Sequence, residues 1–262
     1  NGGIQSFSAM FGEPTQSRNV VSFDFSGTAA GAFHIDITEE NLVMLRQLVT
    51  RTGFASLTPQ HVESVILKHS RCERRKYGDT VYVISRQQFG KFIRDVVPKE
   101  ASKNFDPNEI ENFSNYFTNF FTCFDYNWSD LKKDEVNAKE LMVGFSFLCA
   151  GNKSSKLAAA YDMLDVDKNG YLTQRGLMQY LRAYLTMLAG ISLLSSNKKT
   201  TTQIRKQLMS TKRNDAFLAV ENGAKWTLGY FFRSFEAEHA RNGSTRNNAV
   251  AFEDFAKWYT EG

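Results

Sequence analysis

Several features that identify common protein classes are scarce or missing in this chain of 262 residues. Its three cysteines, Cys72, Cys123 and Cys149, are widely spaced and form no CxxC pair, which argues against a disulfide framework and against a zinc site. No apolar run approaches the roughly 20 residues that a membrane-spanning helix needs, and no signal-peptide pattern opens the chain. These absences predict a soluble protein of a reducing, cytoplasmic compartment.

Enzyme motifs are missing as well. The sequence contains no GxxxxGK[ST], HExxH or GxSxG, and its four histidines, His34, His61, His69 and His239, are not spaced as a ligand cluster. The sequence therefore predicts a protein that is not an enzyme.

Helix-start signals are plentiful by contrast. Thr38 and Thr58 are expected N-caps of two helices. Asp106, Pro107 and Glu109 form a capping box with proline at the first helical position of a third. This third helix carries one apolar stripe at helical spacing, formed by Ile110, Phe113, Phe117, Phe120, Phe121 and Phe124.

An internal repeat organises most of the chain. Four segments contain an apolar helix, a polar stretch, a β-forming apolar residue and, five positions later, an apolar residue that opens another helix. Internal repetition of this kind predicts four helix-loop-helix units. The repeated pairs are Ile84 and Phe89, Val136 and Leu141, Leu172 and Leu177, and Val250 and Phe255.

The third repeat contains the pattern of an EF-hand loop, DVDKNGYLTQRG, at residues 165–176. A hard cation needs oxygens that converge from one short loop, and Gly170 stands where that loop must turn sharply. The predicted metal ligands are Asp165, Asp167, Asn169, the carbonyl of Tyr171, and Thr173.

The closing position of this loop departs from the pattern. An EF-hand loop ends in a glutamate that grips Ca²⁺ with both oxygens, but here the residue is Gly176. Two carboxylates are few for an ion that takes about 6 to 8 oxygens, whereas Mg²⁺ retains more of its waters. We therefore expect weak binding of Ca²⁺ or Mg²⁺, in the third loop only.

The second loop is further from a working site. It begins with Asp125 and Asn127 and ends with Glu140, but it is 16 residues long, and it contains Lys132 and Lys133. A functional loop closes in about 12 residues. This unit is expected to keep the fold without the metal.

Basic residues also occupy the first and fourth loops. The first is replaced by a stretch that contains Arg71, Arg74, Arg75 and Lys76. The fourth, from Glu236 to Asp254, includes two arginines, Arg241 and Arg246. A cationic side chain opposes a metal ion and can take its place electrostatically, so we expect no ion in either loop.

The segment from Leu141 to Leu188 resembles the middle of four-EF-hand sensors of the neuronal calcium sensor and calcineurin B-like type, and the likeness extends loosely from Thr58 to Trp258. The resemblance implies an all-α fold of two EF-hand lobes, with four helix-loop-helix units, mostly degenerate loops and short β pairings. The expected divisions are an N-terminal tail or extension at 1–33, an N-terminal lobe at 34–150 and a C-terminal lobe at 151–262.

The implied function is that of a sensor-like protein with at most one divalent-ion site, which binds an amphipathic helix of a protein partner in a hydrophobic groove. The alternative is an ion-independent interaction module, like a light chain or a cytoskeletal or ciliary assembly factor. The intact loop core favours the first function, while Gly176, the net charge of +4 and the pI of about 8.9 favour the second.

Two further segments leave alternatives open. The apolar stretch Gly176–Gly190 fits either a helix buried between lobes or a helix that covers a groove. Residues 23–35 are either a flexible tail or a segment that folds back into the groove. The basic stretch Asn197–Arg213 lacks interleaved aromatics, so we expect no nucleic-acid binding; membrane contact and oligomeric state remain open.

Overall fold

The computed structural model describes residues 21–24, 34–74, 80–125, 134–194, 212–241 and 249–261, and within them the fold is mostly α-helical and EF-hand-like, as predicted. The helices are α1 (Glu39–Arg51), α2 (Pro59–His69), α3 (Arg86–Val96), α4 (Lys99–Ser102), α5 (Pro107–Phe124), α6 (Ala138–Ser146), α7 (Lys153–Leu164), α8 (Gln174–Ser192), α9 (Lys212–Arg241) and α10 (Phe252–Glu261). The strands are β1 (Val21–Asp24), β2 (His34–Ile37), β3 (Arg71–Arg74), β4 (Thr80–Ser85), β5 (Glu135–Asn137), β6 (Tyr171–Thr173) and β7 (Ala249–Ala251). No helix in these ranges has the length and apolarity needed to cross a bilayer.

The predicted helix starts are confirmed. Thr38 and Thr58 cap α1 and α2 through their hydroxyl oxygens. At the start of α5 the carboxylate of Asp106 accepts a 2.8 Å hydrogen bond from the amide of Glu109, whose side chain bonds back to the amide of Asp106. These bonds satisfy N–H groups that have no partner inside the helix.

One member of the predicted α5 stripe is not buried. Ile110 is 53% exposed, whereas the five phenylalanines of the stripe are all buried. Ile110 lies in the first turn, and the ring of Phe105 packs on Phe113, one turn further along, at 5.2 Å between centroids. The apolar surface therefore starts one turn later than the sequence pattern does.

The four repeated segments share one geometry, in which a short strand precedes a helix and pairs with the strand of another unit. Strands β4 and β5 pair antiparallel with Ile84 opposite Val136, and β6 and β7 pair with Leu172 opposite Val250. All eight repeated residues are buried. The repeat thus places one side chain in the sheet and the next in the core, five residues later.

The first unit contains a β-hairpin where an ion-binding loop was expected to have decayed. Strand β3 pairs antiparallel with β4, from Arg71 opposite Val83 to Arg74 opposite Thr80. The guanidinium of Arg71 lies 2.6 Å from the carboxylate of Glu135 on β5. A basic side chain of this unit therefore binds a carboxylate of the second, while Arg75 and Lys76 fall outside the described residues.

The N-terminal segment is partly folded onto the body of the protein. Strand β1, inside the predicted tail, pairs antiparallel with β2, and Val21 lies opposite Ile37. Ile35 and Ile37 are buried, and β2 packs against α8. The other residues of the predicted tail lie outside the described part of the chain.

Helix α8 packs on both predicted lobes. It contacts α5 and α6 on one side of residue 150 and α7 and α9 on the other. One continuous hydrophobic core includes Phe120 and Phe145 from the first part and Leu177 and Tyr184 from α8. The stretch Gly176–Gly190 is therefore a helix buried between the two parts; the division into lobes at 150 stays a prediction.

Candidate metal centre

The third loop connects α7 to α8 and turns through two left-handed residues. Lys168 has φ 51° and Gly170 has φ 79°. Glycine adopts this conformation without the steric cost that a side chain brings. The backbone at Gly170 thus makes the sharp turn that the sequence predicted.

Asp165 anchors the loop around its own backbone. Its side-chain oxygens accept hydrogen bonds from the amides of Asn169 (3.3 Å) and Gly170 (2.8 Å), and the residue is only 6% exposed. The side-chain oxygen of Asn169 accepts from the amide of Tyr171 at 2.9 Å. Carboxylate and amide oxygens keep further lone pairs, so the same atoms remain available to a cation.

A buried tyrosine ties this loop to the fourth unit. The hydroxyl of Tyr161 accepts from the amide of Leu172 (3.1 Å) and lies within donating distance of the carbonyls of Gly170 (3.2 Å) and Val250. Burial raises the pKa of Tyr161 to about 12, so the hydroxyl keeps its proton at neutral pH. The hydroxyl of Tyr161 therefore connects the third loop to strand β7 by hydrogen bonds.

The closing position lacks a side-chain ligand and is closely packed. The hydroxyl oxygen of Thr173 caps α8 by accepting from the amide of Gly176 at 3.1 Å. A Cβ added at Gly176 would lie 3.3 Å from Cδ2 of Leu172 and 3.7 Å from Oγ1 of Thr173. A side chain at position 176 therefore requires a shift of Leu172, which is only 1% exposed, by a few tenths of an ångström.

The charge of the loop is modest. Of the predicted ligands only Asp165 and Asp167 carry a negative charge, and the loop's one cation among residues 165–173, Lys168, pairs with Asp162 of α7 at 3.0 Å. Across the described ranges, no three His, Cys, Asp or Glu side chains gather where they could hold a metal ion. The assignment of Asp165, Asp167, Asn169, Tyr171 and Thr173 as metal ligands therefore stays a prediction.

In the second unit, arginines bind both acidic ends of the loop. Arg86 reaches Asp125 at 3.4 Å and lies over the ring of Phe121 at 4.7 Å. Glu140 is only 3% exposed and accepts two hydrogen bonds from the guanidinium of Arg182 on α8, one of them at 2.9 Å. A divalent ion at either carboxylate would have to compete with a cation fixed by the fold.

Sequence reasoning missed the Glu140 pair because the two partners lie 42 positions apart. One signal was present, since Arg182 is the only charged residue between Leu177 and Gly190, in an otherwise largely apolar stretch. Residues 126–133 and 242–248, and the side chains of 236–241, lie outside the described residues. The predictions for Asn127, Lys132, Lys133, Glu236, Arg241 and Arg246 therefore have no structural outcome.

Most of the phenylalanines that were candidates for contacting a partner are buried in the core. Phe113, Phe117, Phe120 and Phe145 are buried, and Phe147 is partly buried against Tyr184 at 5.1 Å. Large apolar side chains that remain exposed are few in the described residues; they are Leu42, Val43, Ile110, Val166, Leu218, Trp226 and Tyr230. Any groove that accepts a helix must therefore be opened or lie elsewhere.

Comparison with known proteins supports the EF-hand interpretation. The chain is similar to a recoverin family protein of Dictyostelium discoideum, with 24% identity over 195 residues that cover 70% of this chain and 84% of the relative. No protein-family model and no solved structure matches it. Together with the mostly α-helical fold, this similarity supports a calcium-sensor-like protein of the EF-hand superfamily.

Proposed function

We propose that this protein is a divergent four-EF-hand sensor that holds at most one divalent ion, in its third loop, and binds an amphipathic helix of a protein partner. The observation that supports the ion site is the geometry of the third loop, where the carboxylate of Asp165 accepts hydrogen bonds from the amides of Asn169 and Gly170. The backbone is already turned around that carboxylate. Little reorganisation is then needed when a cation enters.

Weak binding follows from the charge of the ligands. The loop offers two carboxylates and, counting the Tyr171 carbonyl, three neutral oxygens, which is below the usual ligand set of Ca²⁺. Affinity in EF-hand loops follows the number of charged ligands and the rigidity of the site. We therefore expect this site at the weak end of the EF-hand range, with Mg²⁺ as a competitor.

Terbium luminescence tests the ion site directly, since Tb³⁺ replaces Ca²⁺ and is excited by a nearby tyrosine such as Tyr171. Asp165→Asn is expected to abolish the emission. Asp162→Asn is a matched control, because it removes one carboxylate next to the loop, on the exposed side chain paired with Lys168. Equal loss in both variants would show non-specific binding of the trivalent ion to surface charge.

A second function has its own support. Arg71 and Arg86 of the first unit bind Glu135 and Asp125 of the second, and Arg182 of α8 binds Glu140, so internal cations already fulfil the electrostatic role of an ion in the second unit. A protein of this kind binds its partner constitutively, like a light chain or a cytoskeletal or ciliary assembly factor. Partner binding that is unchanged between chelator and saturating Ca²⁺ would support this second function over the first.

A further inference from the structure

Helix α9 buries one side and leaves the other exposed. Its buried side packs on α8 and includes Phe231 and Phe235, which are 1% and 7% exposed. On the opposite side Leu218, Trp226 and Tyr230 are 42%, 50% and 48% exposed. Large apolar side chains of this helix are therefore open to solvent, where burial against another surface would lower the free energy.

The outer face of α9 is formed by five exposed residues, which are Leu218, Lys225, Trp226, Tyr230 and Arg233. Trp226 and Tyr230 are about one turn apart, and their rings stack with 5.8 Å between centroids and 8° between planes. Leu218 precedes Trp226 by about two turns and so lies on the same side of the helix. The two stacked rings give this face one flat apolar surface.

The charge of the outer face is positive. Its charged residues are Lys225 and Arg233, both exposed. The only acidic residue within 218–235 is Glu221. Its side chain is 17% exposed and lies 3.7 Å from Arg182 of α8 and 3.2 Å from Lys225. The carboxylate therefore faces cations of the protein, and a partner that approaches the outer face meets positive charge.

The sequence that leads into α9 adds to this charge. Residues 197–213 contain six lysines and arginines and no aspartate or glutamate. A basic cluster of this size next to an apolar helix face is typical of segments that bind anionic lipid headgroups. Electrostatic attraction acts over a Debye length of ~10 Å, so these residues strengthen binding without having to form the contact themselves.

The shape and chemistry of the outer face fit a planar surface better than a peptide. Partner peptides are usually held in a groove or at the edge of a sheet, whereas the exposed side of one helix is convex. Tryptophan and tyrosine concentrate at the level of lipid headgroups, because each has an apolar ring and a polar hydrogen that stays hydrated. Lysine and arginine beside such rings can bind phosphate oxygens.

We propose that the outer face of α9 binds the surface of a membrane that contains anionic phospholipid. Trp226 and Tyr230 enter the headgroup layer, and Lys225 and Arg233 bind lipid phosphates beside them. The helix lies along the membrane surface, because its opposite side is buried in the protein. The third loop contributes no residue to this face. Binding is therefore expected without a divalent ion, and it goes beyond the proposed partner-helix function.

Cosedimentation of the full chain with lipid vesicles, in the presence of a chelator, tests the electrostatic part of this proposal. The native chain is expected to bind vesicles of equal parts phosphatidylserine and phosphatidylcholine, and to bind phosphatidylcholine alone at least about tenfold more weakly. Arg233→Glu is expected to weaken binding to the mixed vesicles at least about tenfold, because it replaces an attraction with a repulsion.

Arg94→Glu on α3 is the matched control for Arg233→Glu. Both arginines are exposed on a helix, and each has its Nη1 near the glycine four residues earlier, at 3.6 Å from a Cβ added at Gly90 and 3.7 Å from one added at Gly229. Both variants change the net charge equally. Equal weakening by the two would mean that net charge alone attracts the chain to the vesicles, and would overturn the proposal.

The apolar part of the contact is tested with the same vesicles. Trp226→Ala is expected to weaken binding at least about tenfold, because the ring no longer enters the headgroup layer. Ile110→Ala, at another exposed apolar position, is expected to bind as the native chain does. Binding by Trp226→Ala as tight as that of Ile110→Ala would contradict a contact through this face.

Fluorescence quenching by brominated phospholipid locates the contact. The chain has three tryptophans, and the native chain is expected to lose emission on brominated mixed vesicles, with most of that loss absent in Trp226→Phe. Equal quenching in Trp226→Phe would place the contact elsewhere and overturn the proposal. If no vesicle binds, but soluble polyglutamate changes the emission of Trp226, the face accepts an acidic protein segment and the membrane proposal is wrong.

Discussion

Restoring the closing glutamate is the sharpest prediction about the third loop. Gly176 is the third residue of α8, after Thr173 at the N-cap. The nearest atom to an added Cβ is Cδ2 of Leu172 at 3.3 Å, so a side chain here requires a shift of that leucine by a few tenths of an ångström. Gly176→Glu is expected to convert a weak site into a calcium site of ordinary EF-hand composition.

The size of the gain can be estimated from ligand number and charge. Two oxygens added to the four or five of the native loop give six or seven, within the range of about 6 to 8 that Ca²⁺ takes. At a separation of ~4 Å, the attraction between one carboxylate and a doubly charged ion is about 2 kcal/mol even with the dielectric constant of water. That energy corresponds to roughly thirtyfold tighter binding, and the low exposure of Asp165 makes this a lower estimate.

The control must separate the effect of the new carboxylate on Ca²⁺ affinity from the effect of replacing glycine in the helix. Any good helix former at this position gains up to about 1 kcal/mol over glycine, and a glutamate or glutamine here completes a capping box with Thr173. Gly176→Gln supplies both effects without the charge. Calorimetric titration of Ca²⁺ into both variants is expected to show tight binding for glutamate only; equal affinities would mean that a carboxylate at position 176 does not reach the ion, and would refute the reasoning.

Three other perturbations follow from buried contacts. Arg182→Met leaves the carboxylate of Glu140 buried without its partner and is expected to lower the free energy of unfolding by about 3–5 kcal/mol; chemical denaturation should show recovery in the double variant with Glu140→Gln. Gly144→Ala places a Cβ 2.5 Å from a phenylalanine ring of α5 and should cost about 1–3 kcal/mol, whereas Gly90→Ala, in an open helix position, should not destabilise. Tyr161→Phe is expected to cost about 1–3 kcal/mol by leaving buried groups unpaired. Because the pKa of Tyr161 is raised to about 12, the contribution of its hydroxyl to the free energy of unfolding is complete below about pH 10 and is lost as the pH rises towards 12. Thermal unfolding over that interval should therefore show a smaller loss of stability for Tyr161→Phe than for the native chain.

The local parts of this fold could be predicted from the sequence because short-range physics determines them. The N-caps at Thr38, Thr58 and Asp106 depend on residues three positions away. The repeated pair Leu172 and Leu177, one in a strand and one in a helix, spans only five positions. These short-range sequence patterns can be recognised even where a loop has lost its metal ligands.

The long-range parts could not be predicted in the same way. Nothing near Glu140 indicates that its carboxylate is bound by Arg182 rather than by an ion, because the contact depends on how α6 meets α8. The stretch Gly176–Gly190 indicated burial without indicating its neighbours. The close approach of Gly190 to Phe120 and the burial of Ile35 and Ile37 exist only once the N-terminal strands and α8 share one surface.

The most direct test of the ion site is calorimetric titration of Ca²⁺, and separately Mg²⁺, into chelator-stripped protein, with Asp165→Ala and Asp162→Ala compared in parallel. We expect one weak site that is lost in Asp165→Ala and kept in Asp162→Ala. No binding up to millimolar Ca²⁺, or more than one site, would contradict a single weak site. A signal that survives in Asp165→Ala would place the ion outside the third loop.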